Sequence, residues 1–365
     1  MTRRDRARKK RAFRAPLAAS FILLLVTVTI WVCAQNWAEA SARLRACGRT
    51  ITSALGHAWS MLPIPASELL LILLPVLAVV LLLRALFRGG WSHLGLTLLH
   101  LLCAVCALVF CFVCWYGVQY TAPPLAKELG LTVRESTAEQ LQSVVRRTAD
   151  LMNEYAPEVP RDENGACDFG SYSEEAALVM KAYASLTERY PIFAADVAAP
   201  KRSRLLGTAM SYVGNSGYFF PWTGESIVSY DNVQSHIPFN IAHESAHARG
   251  IGPEAECNFA AYLACVESDD PRLIYSAAFN AYVYAANALN AVAPDLWEVE
   301  YNRLCDQSKY DIKVLNEYVH KYDGPVKDLG ESVNDSYIKA TGQPEGLQSY
   351  GLMVDLLIAY YDQVG

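Results

Sequence analysis

The stretch His236–Glu267 reads HIPFNIAHESAHARGIGPEAECNFAAYLACVE and places His243, Glu244 and His247 in the order H-E-x-x-H. On a helix, residues four apart stand one turn above the other on one face, so His243 and His247 can direct their imidazoles at a single metal ion. Neutral imidazole suits Zn2+, and a carboxylate beside an open coordination position can take a proton from water activated there. The pattern therefore points to zinc-dependent peptide hydrolysis with Glu244 as general base. A polar helix face with two ordinary histidines is the bland alternative, and it gives the residues that follow no role.

Those residues run Ala248, Arg249, Gly250, Ile251, Gly252, Pro253, Glu254. Gly250 or Gly252 can end the first helix in a left-handed conformation, and Pro253 suits the first turn of the next. The chain then reverses and returns a carboxylate to the metal, completing a His-His-Glu set with one position open for water. Glu254 is the expected third ligand and Glu256 the alternative. The second motif of thermolysin-like zincins resembles E-x-x-x-D/N, and Glu254 and Asn258 stand in that relation. The amide of Asn258 is expected to steady a ligand histidine through its far ring nitrogen.

Outward from this stretch, the composition divides. Residues 1–120 carry 13 Lys/Arg against Asp5, Glu39 and Glu68, whereas the remainder carries 18 against 34. An acidic C-terminal portion without clustered Lys/Arg excludes nucleic acid as a partner. The N-terminus holds eight basic residues before Pro16, followed by an apolar run over about 17–34. Two more runs cover about 69–87 and 94–116, each long enough to cross a bilayer. Basic residues stay on the cytoplasmic side, so three spans put the N-terminus in the cytoplasm and everything after Tyr120 outside it. Ala38-Glu39-Ala40 also resembles a small-residue cleavage site, the alternative reading of the first run as a signal peptide. Residues 35–66 read as an extracytoplasmic loop, and Trp115, Tyr116 and Tyr120 as an aromatic belt.

The expected organisation is thus a membrane anchor over 1–120 and an extracytoplasmic domain over 121–365. Ser136 with Glu139, and Ser171 with Glu174, read as capping boxes that open helices ending near Tyr155 and Tyr190. Residues 211–230 combine Gly, aromatic and β-branched residues with turn signals and read as a hairpin. It is either a plain structural hairpin or the edge strand to which a peptide substrate adds. Helices are expected over 271–292, 294–305, 312–322, 326–341 and 346–361. The fold class is therefore mostly α (α+β), with a small β-sheet. Of ten cysteines, Cys33, Cys103, Cys106, Cys111 and Cys114 fall in apolar runs, and no C-x-x-C pair exists, which excludes a structural cysteine-zinc site. A Cys167–Cys305 bridge is compatible with an oxidising compartment. Candidates to steady a developing oxyanion are His236, Tyr275 and Tyr282, and Glu225 in the PWTGE turn is a candidate substrate or supporting contact.

HESAHARG, E-x-E-x-N-F over Glu254–Phe259, Ala261-Tyr262, Tyr275-Ser276, the Gly214–Glu225 aromatic segment and VNDSYIKATGQPEGLQSYG near the C-terminus together resemble a bacterial membrane-anchored family, domain of unknown function 3810. Ser245 and Cys257 depart from the commoner, more apolar residues of that family. The resemblance implies a zincin-like metalloprotease domain on N-terminal membrane helices, in the bacterial cell membrane, with a peptide or protein substrate. Two rivals stand beside it. An intramembrane protease would need the motif within the bilayer, yet it lies about 120 residues beyond the last apolar run. A non-hydrolytic metal-binding receptor or scaffold has no use for Glu244 as a base.

Overall fold

The computed structural model describes residues 3–134, 136–343 and 350–364. It is mostly helical, with fourteen α-helices and one small sheet among the described residues. Three helical stretches are long and apolar enough to cross a membrane: Arg11–Asn36 in α1 (Arg3–Asn36), and Ala66–Phe87 and Gly90–Trp115 in α3 (Ala66–Trp115). The two halves of α3 meet at Gly90, whose φ of 64° breaks the helix and returns the chain. Their apolar side chains face outward, with only 6% of each α3 window buried, so protein does not cover this surface. α1 packs on α3 and α2, and its buried residues include the small Ser20, Thr27 and Ala34.

Residues 35–66, expected as a loop, contain α2 (Ala38–Ser60). Its buried face is Ser41, Gly48, Thr52 and Gly56, small residues at helical spacing, which a search for large apolar residues passes over. The glycines allow backbone contact. A Cβ on Gly48 would lie 2.4 Å from the Trp115 carbonyl oxygen, and one on Gly56 would lie 2.5 Å from that of Gly224. α2 therefore belongs to the globular body that follows the third apolar helix.

A short helix, α4 (Leu125–Glu128), leads to α5 (Ala138–Tyr155) and α6 (Tyr172–Arg189). Ser171 and Glu174 cap α6 as expected. The box opening α5 is shifted by one residue: Thr137 and Gln140 form it, while the Ser136 hydroxyl donates to Asp355 instead. Strand β1 (Lys201–Arg202), helix α7 (Gly207–Tyr212) and strands β2 (Gly217–Phe220) and β3 (Glu225–Val228) follow. β3 is central, parallel to β1 and antiparallel to β2, with Tyr218 opposite Ile227 and Phe220 opposite Glu225. The hairpin expected over 211–230 is present, with β2 rather than β3 on the edge.

The core is built on α8 (Ile237–Ala248), α9 (Glu254–Val266) and α10 (Pro271–Val292). Ala242, Ala246, Ala260, Ala261, Ala277, Ala278 and Ala281 are fully buried, so these helices approach closely while Phe239, Phe259, Tyr262 and Phe279 fill the remaining volume. α11 (Pro294–Asn302), α12 (Asp306–Lys321), α13 (Pro325–Ala340) and α14 (Tyr350–Val364) complete the chain. The start of the last helix expected at Gly346, and the middle of the VNDSYIKATGQPEGLQSYG motif, lie outside the described residues. Cys167 and Cys305 are both free; Cys167 Sγ donates to Asp311 and Cys305 caps α12.

Two carboxylates tie α3 to the sheet. Glu225 accepts the Ala66 and Ser67 backbone N–H groups at 3.1 and 2.8 Å, so it caps the N-terminus of α3, and it pairs with Lys201 at 2.8 Å. Glu68, in the first turn of α3, in turn accepts the backbone N–H groups of Arg204, Leu205 and Leu206. The chain leaves the third apolar helix at Trp115, and these contacts cross the expected boundary at residue 120.

Candidate metal centre

α8 is buried along its length except at His243. It ends in a Schellman motif: Gly250, at φ +91°, sends its N–H to the His247 carbonyl, and Ile251 sends its own to that of Ala246. The turn places Pro253 as the N-cap of α9, so Glu254 is its first residue. The reversal carries the Glu254 carboxylate back over the two histidines. His243 Nε2 lies 3.2 Å from Glu254 Oε2, and His247 Nε2 lies 3.5 Å from Glu254 Oε1. The imidazole planes stand at 83°, with centroids 4.8 Å apart.

One donor atom from each of the three residues lies within 4.8 Å of the others, a group that can hold a metal ion. Zinc bonds of about 2.0–2.1 Å at a tetrahedral angle separate two ligand atoms by roughly 3.3 Å, close to the spacing of the carboxylate and the two nitrogens. Glu256, a further two residues along α9, turns away and accepts the Leu125 N–H at 2.9 Å.

The far ring nitrogens are engaged. Asn258 Oδ1 lies 2.7 Å from His243 Nδ1, and its amide oxygen accepts the Nδ1 proton. That leaves Nε2 as the free lone pair facing Glu254. His247 Nδ1 lies 3.1 Å from the Ile251 carbonyl, 2.8 Å from the Tyr116 hydroxyl and 3.2 Å from Cys257 Sγ. Tyr116 and Cys257 both also donate to the Ile251 carbonyl, which organises this side of the site. Burial pushes Glu254 upward, but the two histidines outweigh it and hold the carboxyl well below the usual range.

Glu244 sits beside this group, close enough to feel the charges of His243, His247 and Glu254. Burial raises its carboxyl to about 7, against the opposing pull of His243 and His247. Its Oε2 is buried without a hydrogen-bond partner. Strand β2 passes close enough that a Cβ on Gly217 would lie 2.5 Å from Glu244 Oε1, so glycine there leaves the carboxylate its space. The Glu244 carbonyl accepts the Ser226 hydroxyl at 2.8 Å, which fastens α8 to β3.

The model of the family described as Protein of unknown function (DUF3810) matches residues 45–358. The chain belongs to that family. No curated protein and no solved structure matches it. The DUF3810 match begins in α2 and ends in α14, so it takes in most of α2, the whole of α3 and the whole His-His-Glu group.

In this DUF3810 member the three oxyanion candidates are placed as follows. The Tyr275 hydroxyl donates to Asp311 at 2.5 Å, in a buried network with Arg161. His236 packs edge-on to Phe279, and burial lowers it to about 4. Tyr282 has a buried hydroxyl without a partner, and after burial the neighbours that raise its pKa are Tyr301 and Glu300 rather than the His-His-Glu group. Glu225 serves the helix cap already described. The residues that sequence reasoning missed at this site are Tyr116 and Tyr120, both read as aromatic-belt residues, and Tyr284 and Tyr337. Burial, with the Glu254 charge as a further cause, raises the latter three phenols. Their one signal in the sequence was the density of tyrosine itself.

Proposed function

We propose that this protein is a membrane-anchored, zinc-dependent metallopeptidase that hydrolyses peptide bonds in a peptide or protein substrate. The observation that carries the reading is the Glu254 carboxylate held at 3.2 and 3.5 Å from two histidine Nε2 atoms, with Glu244, whose buried Oε2 has no hydrogen-bond partner, beside them. His243, His247 and Glu254 would hold the ion, and the donor set fits: two imidazoles with fixed tautomers and one ionised carboxylate, leaving a fourth position open. When bound, zinc supplies a Lewis acid that activates water and polarises the substrate carbonyl.

The chain's own residues do the rest. Glu244 takes the proton of the attacking water and returns it to the leaving amine nitrogen. Asn258 and the Ile251 carbonyl keep both imidazoles turned with Nε2 forward. β2, paired on one side only, offers a backbone edge beside Glu244 to which an extended peptide can add. The eight basic residues before Pro16 favour a cytoplasmic N-terminus and an extracytoplasmic metal centre. Contacts of α2 with β3 and α8 support placing the segment after the first apolar helix on the same side as the body after the third.

The test is full-length protein with zinc content and peptide hydrolysis measured together on the parent and Glu244→Gln. The expected result is one zinc per chain in both, with hydrolysis lost in the variant. A metal-binding receptor without hydrolytic activity would show zinc in both and Glu244-dependent cleavage in neither.

A further inference from the structure

The edge strand beside Glu244 is fastened to the ends of the apolar helices. Along β2, Gly217 and Phe219 face one way and Tyr218 and Phe220 the other. Gly217 abuts Glu244, and the Phe219 ring lies 5.0 Å from that of Tyr116, the residue that follows the third apolar helix. On the opposite face, the Tyr218 hydroxyl meets Ser67 Oγ at the start of α3.

The turn after β2 reaches further down. Trp222 Nε1 donates to the Leu108 carbonyl at 3.1 Å, and its ring packs on Phe112. Leu108 precedes Trp115 by seven residues, about 10 Å along the helix axis. A helix of 26 residues is about 39 Å long against a hydrocarbon core of about 30 Å, so its last turn stands in the headgroup layer and Leu108 lies at the hydrocarbon edge, the interface where tryptophan is commonly found. On these lengths the turn reaches the hydrocarbon edge, and the strand and metal group, which meet Tyr116, fall at headgroup level rather than out in solution.

α13 lies on the same plane. Its Tyr337 ring packs on Phe112 at 6.4 Å, and its hydroxyl meets that of Tyr120 at 3.0 Å. Val326, Leu329 and Val333, at helical spacing with Tyr337, are all more than half exposed. An apolar stripe continuous with the end of an apolar helix is what an interfacial helix presents to a bilayer.

We propose that the centre acts on membrane-anchored polypeptides, cutting extended segments within a few residues of their point of exit from the bilayer. The inference rests on the peptidase reading above. A strand pairing with β2 runs between the start of α3 and the end of its second half, so the segment that reaches Glu244 is one already lying along the membrane surface. A soluble chain has to displace headgroups to reach the same edge.

The experiment places zinc-loaded full-length protein in phosphatidylethanolamine–phosphatidylglycerol vesicles with a single-span peptide whose randomised segment begins at the membrane. The same segment is also offered beyond a flexible Gly/Ser spacer of about 40 residues, which keeps it at equal vesicle concentration but away from the surface. A third sample offers it free in solution. Cleavage is read by mass spectrometry, with Glu244→Gln as control. The expected result is Glu244-dependent cleavage at least about tenfold faster for the membrane-adjacent segment than for the spaced one. Equal rates for adjacent and spaced segments would overturn the inference and leave the peptidase reading standing. Absence of Glu244-dependent cleavage in all three overturns both.

Discussion

The Tyr116 hydroxyl and His247 Nδ1 are 131 positions apart in the chain and 2.8 Å apart in space. The first residue beyond the third apolar helix thus touches one of the two histidines of the H-E-x-x-H motif. The Ile251 carbonyl at 3.1 Å and Cys257 Sγ at 3.2 Å also meet this ring nitrogen, so the imidazole is held from three sides. The corresponding nitrogen of His243, Nδ1, is held by Asn258 alone among the described residues.

That asymmetry separates two variants. Tyr116→Phe leaves the Ile251 carbonyl in place and is expected to lower zinc affinity by less than about tenfold, whereas Asn258→Ala frees the His243 ring and is expected to lower it by about 10–100-fold. Chelator competition on folded protein measures both. An equal loss in the two would mean that the Ile251 carbonyl does not fix the His247 tautomer.

Zinc content also separates the two glutamates. His243→Ala and Glu254→Ala are expected to lose the metal. Glu256→Ala is expected to retain one zinc per chain, because its carboxylate serves the Leu125 N–H. Emission spectroscopy on the purified variants reads this directly. Retention in Glu254→Ala with loss in Glu256→Ala would reverse the assignment.

How much of this was legible in the sequence follows from distance along the chain. His243, His247, Glu254 and Asn258 fall within sixteen residues, and helix periodicity with one glycine-ended turn sets their relation, so spacing alone suffices. Tyr116 joins them through tertiary packing that no local pattern encodes, and a separation of about 120 residues gave no sign that the motif touches the end of an apolar helix. α2 escaped because Ser41, Gly48, Thr52 and Gly56 mark its buried face by smallness instead of hydrophobicity. The capping box of α5 slipped because adjacent residues, Ser136 and Thr137, each have a capping partner three positions on, and Asp355 takes the first.

Gly217→Ala tests the space around the base. A Cβ there would lie 2.5 Å from Glu244 Oε1 and 2.9 Å from its Cδ, so the carboxylate or the strand must move. Overpacking of this kind costs about 1–3 kcal/mol. Zinc content is expected to remain at one per chain while hydrolysis falls, because the three ligand residues are untouched. Full activity in Gly217→Ala would show that Glu244 does not work from this position.

Glu175 offers a pH test away from the metal. Its carboxylate is buried, neither oxygen has a hydrogen-bond partner, and burial raises it to about 7 from 4.5. The folded chain therefore holds this proton more tightly than the unfolded chain. Its contribution is fully present below about pH 4.5 and is lost as pH rises to about 7, a change on the order of 2–3 kcal/mol. Glu175→Gln is expected to remove that part of the slope and to unfold at a higher temperature than the parent at pH 8. Melting curves of both proteins from pH 5 to pH 8 check it, and parallel slopes would refute it.

Glu225 joins the metal-bearing body to α3, and its removal should be felt at both ends. The carboxylate is buried, caps the backbone of Ala66 and Ser67, accepts the Thr223 hydroxyl and neutralises a largely buried Lys201. Glu225→Ala strands that ammonium and uncaps the helix, a loss on the order of 3–5 kcal/mol. Lys201→Met together with Glu225→Ala removes the stranded charge and is expected to recover part of the loss, but not the helix cap. Glu225→Gln keeps the shape and an acceptor oxygen while losing the charge, so it should fall between the parent and Glu225→Ala. Thermal unfolding of the four proteins in one detergent orders them. If the double variant is no more stable than Glu225→Ala, the uncapped helix rather than the unpaired lysine dominates, and anchoring of α3 is the larger part of what Glu225 does.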